Sequence, residues 1–214
     1  MSIPKRAAIG LAATVTALVM TACSSNGSSG AASGAGAATS TSTTAPAPST
    51  SAGAPAAAAG WARNPDQSST ALKAGLPMLG SEELQVHYHA HLDVIVDGKP
   101  VTVPQYVGID ENAQTITALH THDTSGVVHI ESGKDVPFKL GQFFTEWGQP
   151  LSTTQVGPVA IGGDKALHVF VNGKEITGDP SQYVFKAHDE IVVWVGDKAQ
   201  TPQVPSSYDF PPGL

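Results

Sequence analysis

Eight histidines occur in this 214-residue chain, all between positions 87 and 188, and six of them fall within residues 87 to 131. His87, His89 and His91 alternate, His120 and His122 do the same, and His129 is followed two residues later by Glu131. In a strand, alternate residues share a face. Neutral imidazole is the commonest protein ligand for metal ions. Two alternating runs, with a third strand adding His129 and Glu131, therefore point to a divalent transition-metal site rather than to a solvated face. If Asp123 to Gly126 is a four-residue turn, His120 stands opposite His129. Directly opposed side chains have Cβ atoms about 4.5–5.5 Å apart, close enough to share an ion. The ligand set reads His87, His89, His91, His120, His122, His129 and Glu131, with Asp93 and Asp123 as acceptors for the free N–H of a ligand ring. His168 and His188 stand alone and read as structural residues.

Imidazole and carboxylate suit Zn(II), Cu(II), Ni(II) or Fe(II). A blue-copper site needs a thiolate, and the only cysteine, Cys23, lies far upstream of the histidines. Met78 is the only methionine after residue 22, which argues against a thioether Cu(I) site. Zinc or copper(II) is the favoured ion.

The elements that must position these residues are mostly strands. From His87 to Asp97, Tyr88, Ala90, Leu92, Val94 and Val96 face one way and the histidines and Asp93 the other. Asp97-Gly98 and Asn172-Gly173 are hairpin turns. Further strands are predicted at 101–103, Ile116 to His122, Gly126 to Glu131, Ala166 to Val171 and Glu190 to Val195. Short helices are predicted near Ser69 to Ala74 and over Gly141 to Trp147, where Leu140, Phe143, Phe144 and Trp147 recur at helical spacing as core residues. The pattern predicts a mainly β fold: a single antiparallel, sandwich- or barrel-like domain over residues 61–214. Leu92 to Thr102 also matches Leu167 to Thr177 at an offset of 75, either from an ancient duplication or because such hairpins share physics.

The first 60 residues have another character. Lys5 and Arg6 precede an uncharged apolar stretch from Ala7 to Met20, then small residues before Cys23, which reads as an export signal over 1–22. That stretch is too short for a comfortable membrane span. Ser24 to Gly60 holds only Ser, Thr, Ala, Gly, Pro and one Asn, so 23–60 is expected to be a disordered linker, typically spanning roughly 30–35 Å. Loss of Lys5 and Arg6 leaves 9 basic against 18 acidic residues, a formal charge of −9. Such a balance argues against nucleic acid or anionic lipid as a partner through a basic patch.

Met20-Thr21-Ala22-Cys23 resembles a bacterial lipobox. The resemblance implies lipidation of Cys23, cleavage before it, and a lipid-anchored protein on the outer face of the cytoplasmic membrane. It also accounts for the lone thiol. His87-Tyr-His-Ala-His91 resembles the histidine-triad nucleotide hydrolase motif, but there the triad comes late in a small intracellular protein, whereas here it opens an exported domain. His120-Thr-His122 resembles a cupin His-x-His without the downstream Gly, Pro and Glu spacings. "AGLPMLG", "HYHAHLDVIVDGKPVTVP", "LHTHDTSGVVHIES" and "GQFFTEW", in that order, resemble a group of exported His-rich proteins of actinobacterial type. That resemblance implies a shared fold and export, and no particular activity.

The favoured function is an anchored binding module that buffers, senses or delivers a divalent metal. A metal-dependent envelope enzyme is the alternative, with Glu131 or Asp123 as base, although no nucleophile elbow, zincin motif or phosphate loop is present. A structural or protein-binding envelope domain with solvated histidines is the third; its protein partner is not specified by the sequence.

Overall fold

The computed structural model describes residues 59–214. The expected signal at 1–22, Cys23 and nearly all of the 23–60 linker lie outside the described residues. In chain order the elements are α1 (Gln67–Ala74), β1 (Val86–Val96), β2 (Lys99–Val101), β3 (Ile109–Asp110), β4 (Thr115–Ile116), β5 (Leu119–His120), β6 (Val127–Ser132), α2 (Leu140–Trp147), β7 (Gln155–Val156), β8 (Val159–Ala160), β9 (Lys165–Val171), β10 (Lys174–Ile176) and β11 (Glu190–Asp197), with a 3-10 turn at Pro180–Gln182. No helix among the described residues is long and apolar enough to cross a membrane.

The main sheet has seven strands in the order β10-β9-β11-β1-β6-β5, with β2 also paired to β1. The pairs β3-β4 and β7-β8 form two separate ribbons. The mainly β expectation holds, but two parts of it need correcting. First, β1 and β11 run parallel, pairing His91 with Glu190 through Val96 with Val195, so the sheet is mixed rather than antiparallel. Turn chemistry sets direction only between neighbours in sequence, and these strands lie almost a hundred residues apart. Second, the sheet is open and is neither a barrel nor half of a sandwich. The ribbons are only two residues long per strand, too short to make a second layer. Helices cover the apolar face instead: Leu140, Phe143, Phe144 and Trp147 join Ala90, Leu92, Val94, Val128, Ile130, Ile191 and Val193 in one core.

Local chemistry sets the element ends. Both hairpin turns have positive φ at their two central residues, 51° and 73° at Asp97-Gly98 and 52° and 73° at Asn172-Gly173, the backbone that matches strand twist. The β1-β2 and β9-β10 ladders are in the same register: Val94 pairs with Val101 as Val169 pairs with Ile176. In α1, Asp66 caps the Ser69 N–H (2.9 Å) and Gly75 closes the helix in the left-handed region. Phe143, Phe144 and Trp147 are fully buried, so they form core and not a docking surface.

One expected strand is broken. Between Ile116 and His122 the chain makes β4, turns, and resumes as β5. At the break the Thr117 hydroxyl donates to the Leu119 carbonyl (2.7 Å), a local bond that competes with the ladder. Gly108 lies against this bend with φ +75°; a Cβ there would collide with the Leu119 carbonyl oxygen and meet Thr117 Oγ1 at 2.6 Å.

Glu146 on α2 is fully buried, and neither carboxyl oxygen has a hydrogen-bond partner among the described residues. Burial drives its acidity down, pushing the pKa well above the usual carboxylate range. A raised folded-state value means the folded protein holds this proton more tightly than the unfolded chain. Its contribution to stability is therefore present at acid pH and lost as pH rises. Glu146→Met should raise stability at pH 8 by about 1–3 kcal/mol, and by less at pH 5, measured by urea denaturation.

Candidate metal centre

The site is built on three adjacent antiparallel strands. In β1, Ala90, Leu92 and Val94 fill the core, which turns His87, His89 and His91 to the opposite face. In β6, Val128 and Ile130 are core residues, so His129 and Glu131 share that outer face. In β5, buried Leu119 leaves His120 on it as well. Register completes the assembly: His89 pairs with His129, His87 with Glu131, and His120 with His129. One row thus crosses the sheet as His89, His129, His120. The ring centroids are 4.5 Å apart for His89–His129 and 5.2 Å for His120–His129, close to the strand spacing itself. His122, just beyond β5, returns to the same face with its ring 4.5 Å from that of His129.

Donor atoms converge on two overlapping groups. His87, His89, His129 and Glu131 form one; within it, His87 Nε2 is 3.2 Å from His89 Nε2, and Glu131 Oε1 is 3.3 Å from both His87 Nε2 and His129 Nδ1. Four donors held tetrahedrally at 2.0–2.1 Å from an ion are about 3.3–3.4 Å apart, so these three edges fit such an ion without rearrangement. The second group is His120, His122 and His129, with Glu82 also reaching His120 and Glu131.

His120 fixes the chemistry most tightly. Its Nδ1 lies 2.9 Å from the Thr117 carbonyl oxygen. A carbonyl only accepts, so Nδ1 carries the proton and Nε2 presents a lone pair. That Nε2 is buried, has no hydrogen-bond partner among the described residues, and faces Glu131 Oε2 at 3.9 Å, which is likewise buried and unpartnered. Two acceptors facing each other across a buried gap call for a cation. The backbone carbonyl also supplies the N–H acceptor that a ligand imidazole needs. The bend at Thr117–Leu119 aims it.

Burial sets the protonation states. It lowers His120 to about 3, despite the bond to Thr117, and with the neighbouring imidazoles of His122, His89 and His87 it lowers His129 to about 4. His89 is also lowered, by burial and then by His87. Glu131 is raised, first by burial and then by the charge of Glu82. Burial thus favours neutral His89, His120 and His129 at physiological pH, the form in which an imidazole can hold a metal.

Three residues expected here have other partners. His91 shares the face but sits apart: Nδ1 is 2.8 Å from Glu190 Oε2 and Nε2 is 2.9 Å from the Ser125 carbonyl oxygen. Both partners are acceptors, so the ring is doubly protonated, a cation paired with Glu190, and has no lone pair for a metal. Burial alone would lower its pKa, but the bond and charge of Glu190, with Ser125 and Asp93, outweigh that and raise it. Tyr208 stacks on this ring at 3.8 Å, 7° from parallel. Asp93 belongs to this His91–Glu190 group. Asp123 caps its own turn by accepting from the Ser125 N–H (2.8 Å), and that local bonding lowers its pKa. His168 bonds Glu175 (2.6 Å) on the β9-β10 hairpin, and His188 stacks on Phe210 with centroids 4.9 Å apart; neither joins the cluster.

Sequence reasoning missed Glu82, the Thr117 carbonyl and Glu190. Glu82 lies in the loop before β1, where no spacing marks it; Glu190 opens an apolar strand whose partner is not its neighbour in sequence. The chain matches no family model, no curated protein and no solved structure in the comparisons made, so the site is read from its own geometry.

His120 and His129 bind protons less readily folded than unfolded, where the usual value is about 6.5. Below that pH the unfolded chain takes up more protons, so metal-free protein loses stability as pH falls. Between pH 6.5 and 5 the loss should be about 1–2 kcal/mol per histidine, read by urea denaturation. NMR at pH 5.5 should still show both rings neutral; imidazolium signals for either would contradict the assignment.

Proposed function

We propose that this protein is an extracytoplasmic lipoprotein, anchored through Cys23, whose β domain binds zinc or copper(II) at the His/Glu cluster and buffers, senses or hands on the ion. The observation that carries the metal reading is the buried pair of unpartnered acceptors, His120 Nε2 and Glu131 Oε2. An ordinary core histidine has both nitrogens bonded, as His91 does here. Imidazole and carboxylate donors at these spacings suit zinc and copper(II).

Access supports exchange over a purely structural role. The His87, His122 and Glu82 side chains are 41%, 44% and 43% exposed, whereas His120 is fully buried. An ion held between them has protein beneath it and solvent above, so it can be loaded and released. The anchor rests on the sequence alone: a charged start, an apolar stretch, small residues, then the only cysteine.

Elemental analysis of the full-length chain, purified without a His tag, should find bound zinc or copper, and the double variant His120→Ala/His129→Ala, which removes an imidazole from each donor group, should lose it. If added zinc and copper shift Tm no more in the parent chain than in that variant, the metal reading fails. For the anchor, Cys23→Ser should move the protein out of the membrane fraction and abolish labelling by a fatty-acid probe. Unchanged fractionation and labelling would remove the lipoprotein assignment.

A further inference from the structure

We infer that the cluster is dinuclear: two divalent ions, bridged by the Glu131 carboxylate. This rests on the metal-binding reading above and goes beyond it in number, geometry and division of labour.

Donor supply is the first ground. His87, His89 and His129 converge with Glu131 on one side, and His120, His122 and Glu82 on the other. A single zinc or copper(II) ion takes four donors, or a few more. Six side chains on one sheet face, with Glu82 from the adjoining loop, exceed that, and four of these seven form the first group alone.

Glu131 supplies the second ground, because its two oxygens face different partners. Oε1 is 3.3 Å from His87 Nε2 and 3.3 Å from His129 Nδ1. Oε2 is 3.9 Å from His120 Nε2, and neither of those two atoms has a hydrogen-bond partner among the described residues. A carboxylate only 5% exposed, with one oxygen aimed into each group, is placed to bridge. Ions bridged in this way sit about 3.5–4 Å apart. An ion on the Oε1 side alone would leave His120 Nε2 and Oε2 unrelieved, which is the very feature that calls for a cation.

The two positions are unequal. The first has donor edges of 3.2–3.3 Å and three imidazoles. The second is wider, with His120 3.9 Å from Oε2 and His122 Nε2 3.8 Å from Glu82 Oε1. Both of its outer donors are exposed, and Glu82 comes from a loop. The first ion is the tightly held one; the second is the exchangeable one that solvent or a partner can take. The remaining candidate group, His91, Asp93 and Glu190, does not compete for it, since both His91 nitrogens are engaged.

Metal-free full-length chain titrated with zinc should bind two ions per chain, the second more weakly. Glu82→Ala, a change at an exposed loop residue, should leave the first ion in place and weaken the second by about 10- to 100-fold. With two equivalents of copper(II), the integrated EPR signal should fall below the copper content, because ions sharing Glu131 couple magnetically. One zinc per chain, unchanged by Glu82→Ala, overturns the dinuclear inference while leaving the metal reading intact. Two ions with the second insensitive to Glu82→Ala and a full uncoupled copper signal overturn it as well, since they put the second ion elsewhere. No bound zinc or copper at all defeats the metal reading itself.

Discussion

Register across β5, β6 and β1 is the constraint on which both the core and the cluster depend. Side chains alternate with a period of two, so sliding β6 by one residue would put His129 and Glu131 into the apolar layer and Val128 and Ile130 onto the outer face. Ala90, Leu92, Leu119, Val128 and Ile130 are each at most 1% exposed, and their burial fixes that register. The convergence of six donor-bearing positions on the other face is then a by-product of the same alternation. Deleting a histidine leaves this frame standing, whereas changing a core residue beneath it threatens both.

Much of this was legible from residue pattern. The alternation in 87–97, the Asp-Gly and Asn-Gly turns and the helical spacing of Leu140, Phe143, Phe144 and Trp147 all reflect local preferences, and a four-residue turn at 123–126 correctly pairs His120 with His129. What escaped depended on distance or on single bonds. Nothing near β1 or β11 encodes that they run parallel. The break within 116–122 turns on one hydroxyl and one close glycine. His91 has the spacing of a ligand, and only the arrival of Glu190 and the Ser125 carbonyl removes it from the set.

The outer face solves the problem of a buried carboxylate in two ways. Beside Glu190, the imidazole of His91 is itself the cation, held by acceptors at both nitrogens and roofed by Tyr208. Beside Glu131, burial and neighbouring imidazoles lower the pKa values of His89, His120 and His129, which favours their neutral forms. A carboxylate among neutral rings lacks the positive partner that burial demands. The contrast arises from which atoms face the ring: Ser125 offers a carbonyl that obliges a second proton, and at His120 only the Nδ1 side receives one.

The repeated hairpin separates ancestry from chemistry. Positions 162, 164 and 166, which align with His87, His89 and His91 at the offset of 75, hold Gly, Asp and Ala, yet β9 and β10 keep the ladder of β1 and β2 residue for residue. A hairpin of this kind folds and docks on β11 without any imidazole row. The architecture of such a hairpin therefore does not depend on histidines at these outer-face positions. A descendant of this protein could rearrange or lose its imidazole cluster without having to reinvent its fold.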